Sequence, residues 1–232
     1  MRSAPGAAQE DRPAQLGPGR RARAYHSPRR REGARRTRAR IVAAATAEFT
    51  ASGYAATTMR AIATAAGVSV PTVELAFGTK AQVLKVAIDV AIAGDDEPVP
   101  VLERDWAADA RAAGPVGDFL AIVERVLVEA ARRSAGLVVA AFEAAAADPA
   151  LRPLARQLRA QRAATAGWIA DGVIARSALR PEINRAHAVD VVWLLMDPVV
   201  FGRLTDDRGW SPERYGRWFT DSLQRLLLAD PS

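Results

Sequence analysis

The chain has 232 residues, no cysteine and two histidines far apart, His26 and His187, which excludes disulfides, thiol redox chemistry and cysteine-based zinc sites. Half of it is hydrophobic (50%), enough for a packed core, yet the longest apolar run, residues 189–201, is broken by Asp190 and Asp197 and is too short to span a bilayer. The net charge of +6 is uneven: residues 1–40 hold 12 arginines against 3 acids, residues 41–94 are neutral, and residues 95–232 hold 17 arginines against 20 acids.

Alanine abundance and the scarcity of β-branched alternation predict an all-α protein. Residues 1–34, rich in Pro, Gly, Arg and Ala, read as a disordered, Arg-rich arm. Its charge points to a polyanionic partner or to a solvated tail. No apolar segment follows it, so it is not a secretory signal, and a soluble cytoplasmic protein with no membrane partner is the expectation. A stripe of Ile41, Ala44, Ala45, Ala47 and Phe49 predicts a first helix over residues 36–52, stopped by Gly53. Thr57 or Thr58 caps a second, with Ile62, Ala63 and Ala66 inward and Gly67 at its end. Ser69 caps a short third helix with Pro71 in its first turn and Val73 and Phe77 facing the core. Thr79 caps a fourth, carrying Val83, Leu84, Ala87, Val90 and Ala91 to about Gly94.

"GDDEPVPVLE" is a composition break, dividing residues 35–94 from a body over residues 95–232. Phe119, Ile122, Val123, Val126, Leu127 and Ala130 then keep helical spacing, and residues 136–147 read as a small-residue helix. Asp148 and Pro149 start a long helix through Leu151, Leu158, Trp168 and Val173, which Pro153 kinks or restarts and which ends before Pro181. Residues 186–204 are apolar almost all round, so such a helix must be covered by the core or by a second subunit. Ser211 caps the last helix, with Pro212 at its first position and Tyr215, Trp218, Phe219, Leu223, Leu226 and Leu227 in one stripe.

The spacing over residues 57–80 is that of a helix-turn-helix: Gly67 permits the tight turn, Val68 fills the space beneath it, and Val70, Pro71, Thr72, Glu74 and Leu75 face outward. The ordered set "ASGYAATT", "IATAAGVS", "PTV" and "FGTKAQVL", with about 130 helical residues beyond it, resembles the tetracycline-repressor (TetR) family of transcriptional regulators. The resemblance is specific over residues 36–94 and architectural beyond, with an echo in "RGWSPERYGRWFTDSLQRLLL". It implies a three-helix DNA-binding head, a fourth helix linking it to the body, a homodimer formed through the last two helices, and a small-molecule effector that releases the operator DNA. Thr72 and Lys80 match the family pattern, which puts Lys80 on a phosphate. Glu74 and Leu75 stand where the family usually has aromatic residues, and Val70 where it often has a cation.

The residues expected at double-stranded DNA are Arg35, Arg36, Arg38, Arg40, Thr58, Arg60, Ser69, Val70, Pro71, Thr72, Glu74, Leu75 and Lys80. Phosphate affinity would come from the arginines ahead of and within the first helix. Glu74 either accepts from a cytosine amine while its apolar neighbours meet thymine methyls, or points sideways to pair with an arginine such as Arg60. The second is favoured for Glu74 itself. In the body, Trp106, Phe119, Phe142, Trp168 and Trp193 are candidates for an apolar ligand pocket. Leu194, Phe201, Trp218, Phe219 and Leu223 are candidates for the dimer interface. Glu143, Asp190 and Asp197 sit among apolar neighbours and are read as partners of nearby arginines. No catalytic constellation, metal site or cofactor fingerprint is present in the sequence. The function expected is a DNA-binding regulator, a repressor released by a small molecule. The alternatives are a regulator controlled by a protein partner without such an effector and, less supported, an all-helical enzyme.

Overall fold

The computed structural model describes residues 28–229, and their regular structure is helical. Four helices form the head: α1 (Pro28–Ala56), α2 (Met59–Ala66), α3 (Val70–Phe77) and α4 (Lys80–Ala93). Six form the body: α5 (Asp105–Ala112), α6 (Val116–Ala147), α7 (Arg152–Ile174), α8 (Arg185–Leu195), α9 (Pro198–Gly202) and α10 (Pro212–Leu227). The described residues contain no strand, only one isolated antiparallel bridge between Leu179 and Leu228. The all-α expectation holds.

Two boundaries differ from the sequence reading. Helix α1 begins at Pro28, not at Arg36, so the end of the expected arm is helical. Proline tolerates a helix start, where its missing amide has no partner to lose, and Arg, Glu and Ala are good helix formers. Residues 1–27 of the arm lie outside the described residues. Gly53 does break the helix (φ 70°, ψ 174°), but one more turn follows it to Ala56. The second difference is α6, one continuous helix where two were expected. Gly136 does not interrupt it. It is exposed, and a Cβ built on it would stand 3.8 Å from the Thr50 methyl group, an ordinary van der Waals distance, so the close packing does not demand a glycine there. Helix α1 packs on α6 through the cluster that holds Leu137 and Ala141.

One apolar cluster joins the head to the body. Ile41, Phe49, Ile62, Val73, Leu84 and Ile88 pack with Leu137 and Ala141 of α6 and with Leu151 and Leu158 beyond it. The composition break at residue 94 therefore marks a change along the chain but not a gap in the core. A second cluster fills the body, where Phe119, Val123, Ile169, Val173, Val192, Phe219 and Leu223 are buried together. Pro153 sits in the first turn of α7, so it starts that helix and does not kink it. The apolar stretch 186–204 is two helices, α8 and α9, separated at Asp197. There the half-buried Asp197 accepts from the Val199 amide and pairs with Arg162 of α7, which offsets the loss of water around its carboxylate.

Candidate nucleic-acid interface

The helix-turn-helix is assembled by caps that the sequence supplies at each end. Thr58 caps α2, its hydroxyl accepting from the Ala61 amide at 3.1 Å, while Thr57 is buried and donates to the carbonyls of Gly53 and Glu48. At the far end Gly67 adopts the left-handed conformation (φ 63°, ψ 41°) that closes α2, and the amide of Val68 returns to Ala63. Ser69 then caps α3, accepting from the Thr72 amide at 3.3 Å, with its hydroxyl 2.8 Å from that of Thr72. Val73 and Phe77 fix α3 to the core beneath.

Three of the six cations expected at the DNA, Arg38, Arg40 and Lys80, have partners inside the head. Arg40 donates to the carbonyl of Ala66 (2.6 and 3.2 Å) and to that of Gly67 (3.0 Å), capping the carboxyl end of α2. Arg38 does the same for α3, donating to Ala76 at 3.0 Å with its guanidinium 4.3 Å from the centre of the Phe77 ring. Lys80 sends its ammonium to the carbonyls of Tyr54 and Thr57, 2.8 Å each, over the face of Tyr54 at 4.1 Å. Burial lowers the Lys80 ammonium from its ordinary range, against the pull of the Asp148 carboxylate. Burial likewise pushes the Tyr54 hydroxyl up, helped by Asp148. These three residues brace the reading unit from within. Arg35, Arg36, Thr58 and Arg60 are exposed.

On α3 itself, Pro71, Glu74 and Leu75 are exposed, while Val70 and Thr72 are half-buried. Among the described residues Glu74 makes no ion pair, so the sideways pairing with Arg60 is not formed. One contributor was not visible in the sequence. Arg133 of α6 donates to the carbonyls of Ala91 (2.8 Å) and Ile92 (3.4 Å), which ties the end of α4 to the body. Donor and acceptors lie 42 and 41 residues apart, and no local pattern connects them.

Four of the five pocket candidates, Trp106, Phe119, Trp168 and Trp193, lie in the body's apolar cluster, and Phe142 lies in the head-side one. Trp106, Phe119 and Trp168 pack on one another, with ring centres 5.3 and 5.5 Å apart, as part of the body core. Phe142 belongs to the head-side cluster, under Arg159, and Trp193 lies under Arg162. The interface candidates also divide. Phe201, Phe219 and Leu223 are buried inside the protomer, because the α10 stripe seals the body core, and Trp218 is half-buried. Leu194 is 58% exposed, and Leu226 of α10, at 47%, joins it at the surface. Asp197 has the arginine partner expected of it, whereas Glu143 and Asp190 have no ion pair among the described residues. No group of His, Asp and Glu among the described residues is arranged to hold a metal, and none of their helices is long and apolar enough to cross a membrane.

With this geometry in hand, the relatives of the chain can be compared. Residues 41–87 match the model of a family described as bacterial regulatory proteins, tetR family. No curated protein matches the chain in sequence. Among solved structures, the chain is similar to NalD, the secondary repressor of the MexAB-OprM multidrug efflux pump in Pseudomonas aeruginosa. That match has a TM-score of 0.60 at 18% identity and covers 86% of this chain and 100% of that one. It is similar to the transcriptional regulator FadR from Bacillus subtilis in complex with stearoyl-CoA, with a TM-score of 0.60 at 17% identity over 80% of this chain and 96% of the other. A third neighbour is the ketosteroid transcriptional regulator KstR2 of Mycobacterium tuberculosis, with a TM-score of 0.57 at 16% identity over 83% and 95%. At these identities the likeness is one of fold.

Proposed function

We propose that this chain, with its tetR-family head and a body of the same fold, is a DNA-binding transcriptional regulator that represses its target by occupying an operator. The observation that carries the reading is the presentation of α3. It is capped by Ser69 and held from below by Val73 and Phe77, and its opposite face is uncovered, as a helix that enters a major groove must be. Phosphate affinity belongs to Arg31, Arg35 and Arg36, exposed near the start of α1, together with the arginines of residues 1–27. A homodimer completes the reading, since two heads related by a twofold axis match a palindromic site. Leu194 and Leu226 support it as surface apolar residues on α8 and α10. Release by a small molecule is part of the proposal, supported by the neighbour of this fold solved with stearoyl-CoA.

Selection of bound duplexes from a randomised DNA library by the purified full chain tests the reading. An inverted repeat is expected, its half-sites about one helical turn apart, with affinity that falls steeply as salt rises. A chain that enriches no sequence at low salt would end the proposal.

A further inference from the structure

The outer face of α3 carries an unusual chemical repertoire for a surface that meets a polyanion. Leu75 is 92% exposed, the most open large apolar side chain among the described residues. Pro71 lies one turn before it on the same side of the helix and is also exposed. Glu74 is exposed beside them without an ion pair. The two hydroxyls at the start of the helix are turned to each other, Ser69 to Thr72 at 2.8 Å. Three cations of the head, Arg38, Arg40 and Lys80, are bound to its carbonyls. What α3 offers outward is therefore one carboxylate acceptor and a ridge of carbon.

Each base pair answers that offer differently. In the major groove guanine shows two acceptors, which repel a carboxylate. Cytosine shows an amine donor, adenine an amine beside an acceptor, and thymine an acceptor beside a methyl group. A carboxylate fits the cytosine amine best, because the N7 acceptor of adenine opposes its second oxygen. A leucine and a proline fit the thymine methyl, which loses water on contact as they do. We propose that α3 reads a step containing thymine and cytosine: Leu75 and Pro71 pack on the thymine methyl, and Glu74 accepts from the cytosine N4 amine and rejects guanine there. The proposal rests on the DNA-binding reading above and adds its base preference.

The test begins from the inverted repeat that the full chain selects. Replacing each thymine in turn by deoxyuridine removes one methyl group and nothing else. At one position per half-site the substitution should weaken binding about fourfold, the value of one buried methyl-sized group. Leu75→Ala should lose most of the difference between the two duplexes at that position, and the double variant Pro71→Ala with Leu75→Ala all of it. Glu74→Gln should shift the preferred base at one neighbouring position from cytosine to adenine, which a glutamine amide pairs bidentately. All three side chains are exposed, so the variants fold as the parent does, and circular dichroism checks this. Equal binding of thymine and deoxyuridine duplexes throughout, or an unchanged motif for Glu74→Gln, overturns the inference while the DNA-binding reading stands. A parent chain that selects no duplex at all removes that reading and this inference together.

Discussion

At the scale of single residues, the head shows how little a side chain's charge reveals about its partner. Lys80 reads in the sequence as a phosphate contact because the family resemblance implies it, and Arg40 because it belongs to the basic stretch that leads into the neutral head. The carbonyls they meet lie 23 to 27 residues away along the chain and arrive only when the fold forms. An ammonium drawn partly out of water loses hydration, which is why its proton affinity falls. Two charge-assisted hydrogen bonds and the face of Tyr54 offset that loss. Lys80→Met keeps the length and apolar stem but leaves the carbonyls of Tyr54 and Thr57 unpartnered. Urea unfolding without DNA should show a loss of about 1–3 kcal/mol, the usual range for stranded polar groups. A residue whose whole role is at a phosphate would lower operator affinity and leave the unfolding midpoint where it was. An unchanged midpoint would therefore return Lys80 to the DNA.

Between elements, what was legible in the sequence is what local chemistry decides. Thr58, Ser69, Thr79 and Ser211 cap the helices they were expected to cap, because a side chain within three residues of a helix's first amides needs no tertiary help, whereas Asp148 caps a single 3-10 turn, Pro149–Leu151, ahead of α7. The continuity of α6 through Gly136 was not legible, since a glycine lowers helix propensity locally and the burial of residues on both sides of it, Val123 and Leu137 among them, outweighs that cost only in the folded protein. Nor was the seating of Phe119, which depends on a glycine on another helix. A Cβ at Gly172 of α7 would stand 2.2 Å from the Phe119 ring tip, inside the van der Waals limit. The ring cannot swing away, because it is buried against Trp168 and covered by the Arg176 guanidinium at 4.6 Å. Glycine in mid-helix usually costs about 0.5–1 kcal/mol relative to alanine, so Gly172→Ala tests which effect wins. Overpacking costs about 1–3 kcal/mol, and the variant should be destabilised. Phe119→Leu in the same chain should recover part of the loss, because it removes the atoms in collision. A Gly172→Ala protein more stable than the parent would mean that α6 and α7 separate easily, and that the body core is softer than its packing implies.

For the whole molecule, the proposed dimer needs a surface that a second copy can cover. The sequence pointed to the whole apolar set of the last helices, but a stripe on an amphipathic helix does not say whether its protomer or its partner buries it. Here the protomer takes Phe201, Phe219 and Leu223, and leaves Leu194 on α8 and Leu226 on α10 to solvent. Helices α8 and α10 pack on each other, so a twofold pairing of their outer faces would make a four-helix bundle of the kind that buries such residues. The paired variant Leu194→Arg with Leu226→Arg places like charges at the centre of that contact and disturbs nothing buried. Light scattering at micromolar concentration should find the parent dimeric and the variant monomeric, with the same helical spectrum. Operator affinity should fall with it. Joining two half-site contacts in one molecule raises affinity by about 10²–10⁴ over either alone, so the monomer should bind the inverted repeat about a hundredfold more weakly or worse. It should bind a single half-site about as well as the parent does. A variant that stays dimeric moves the interface to another face of the body. A variant that becomes monomeric yet holds the full operator as tightly as the parent would show that the two heads do not act as a pair.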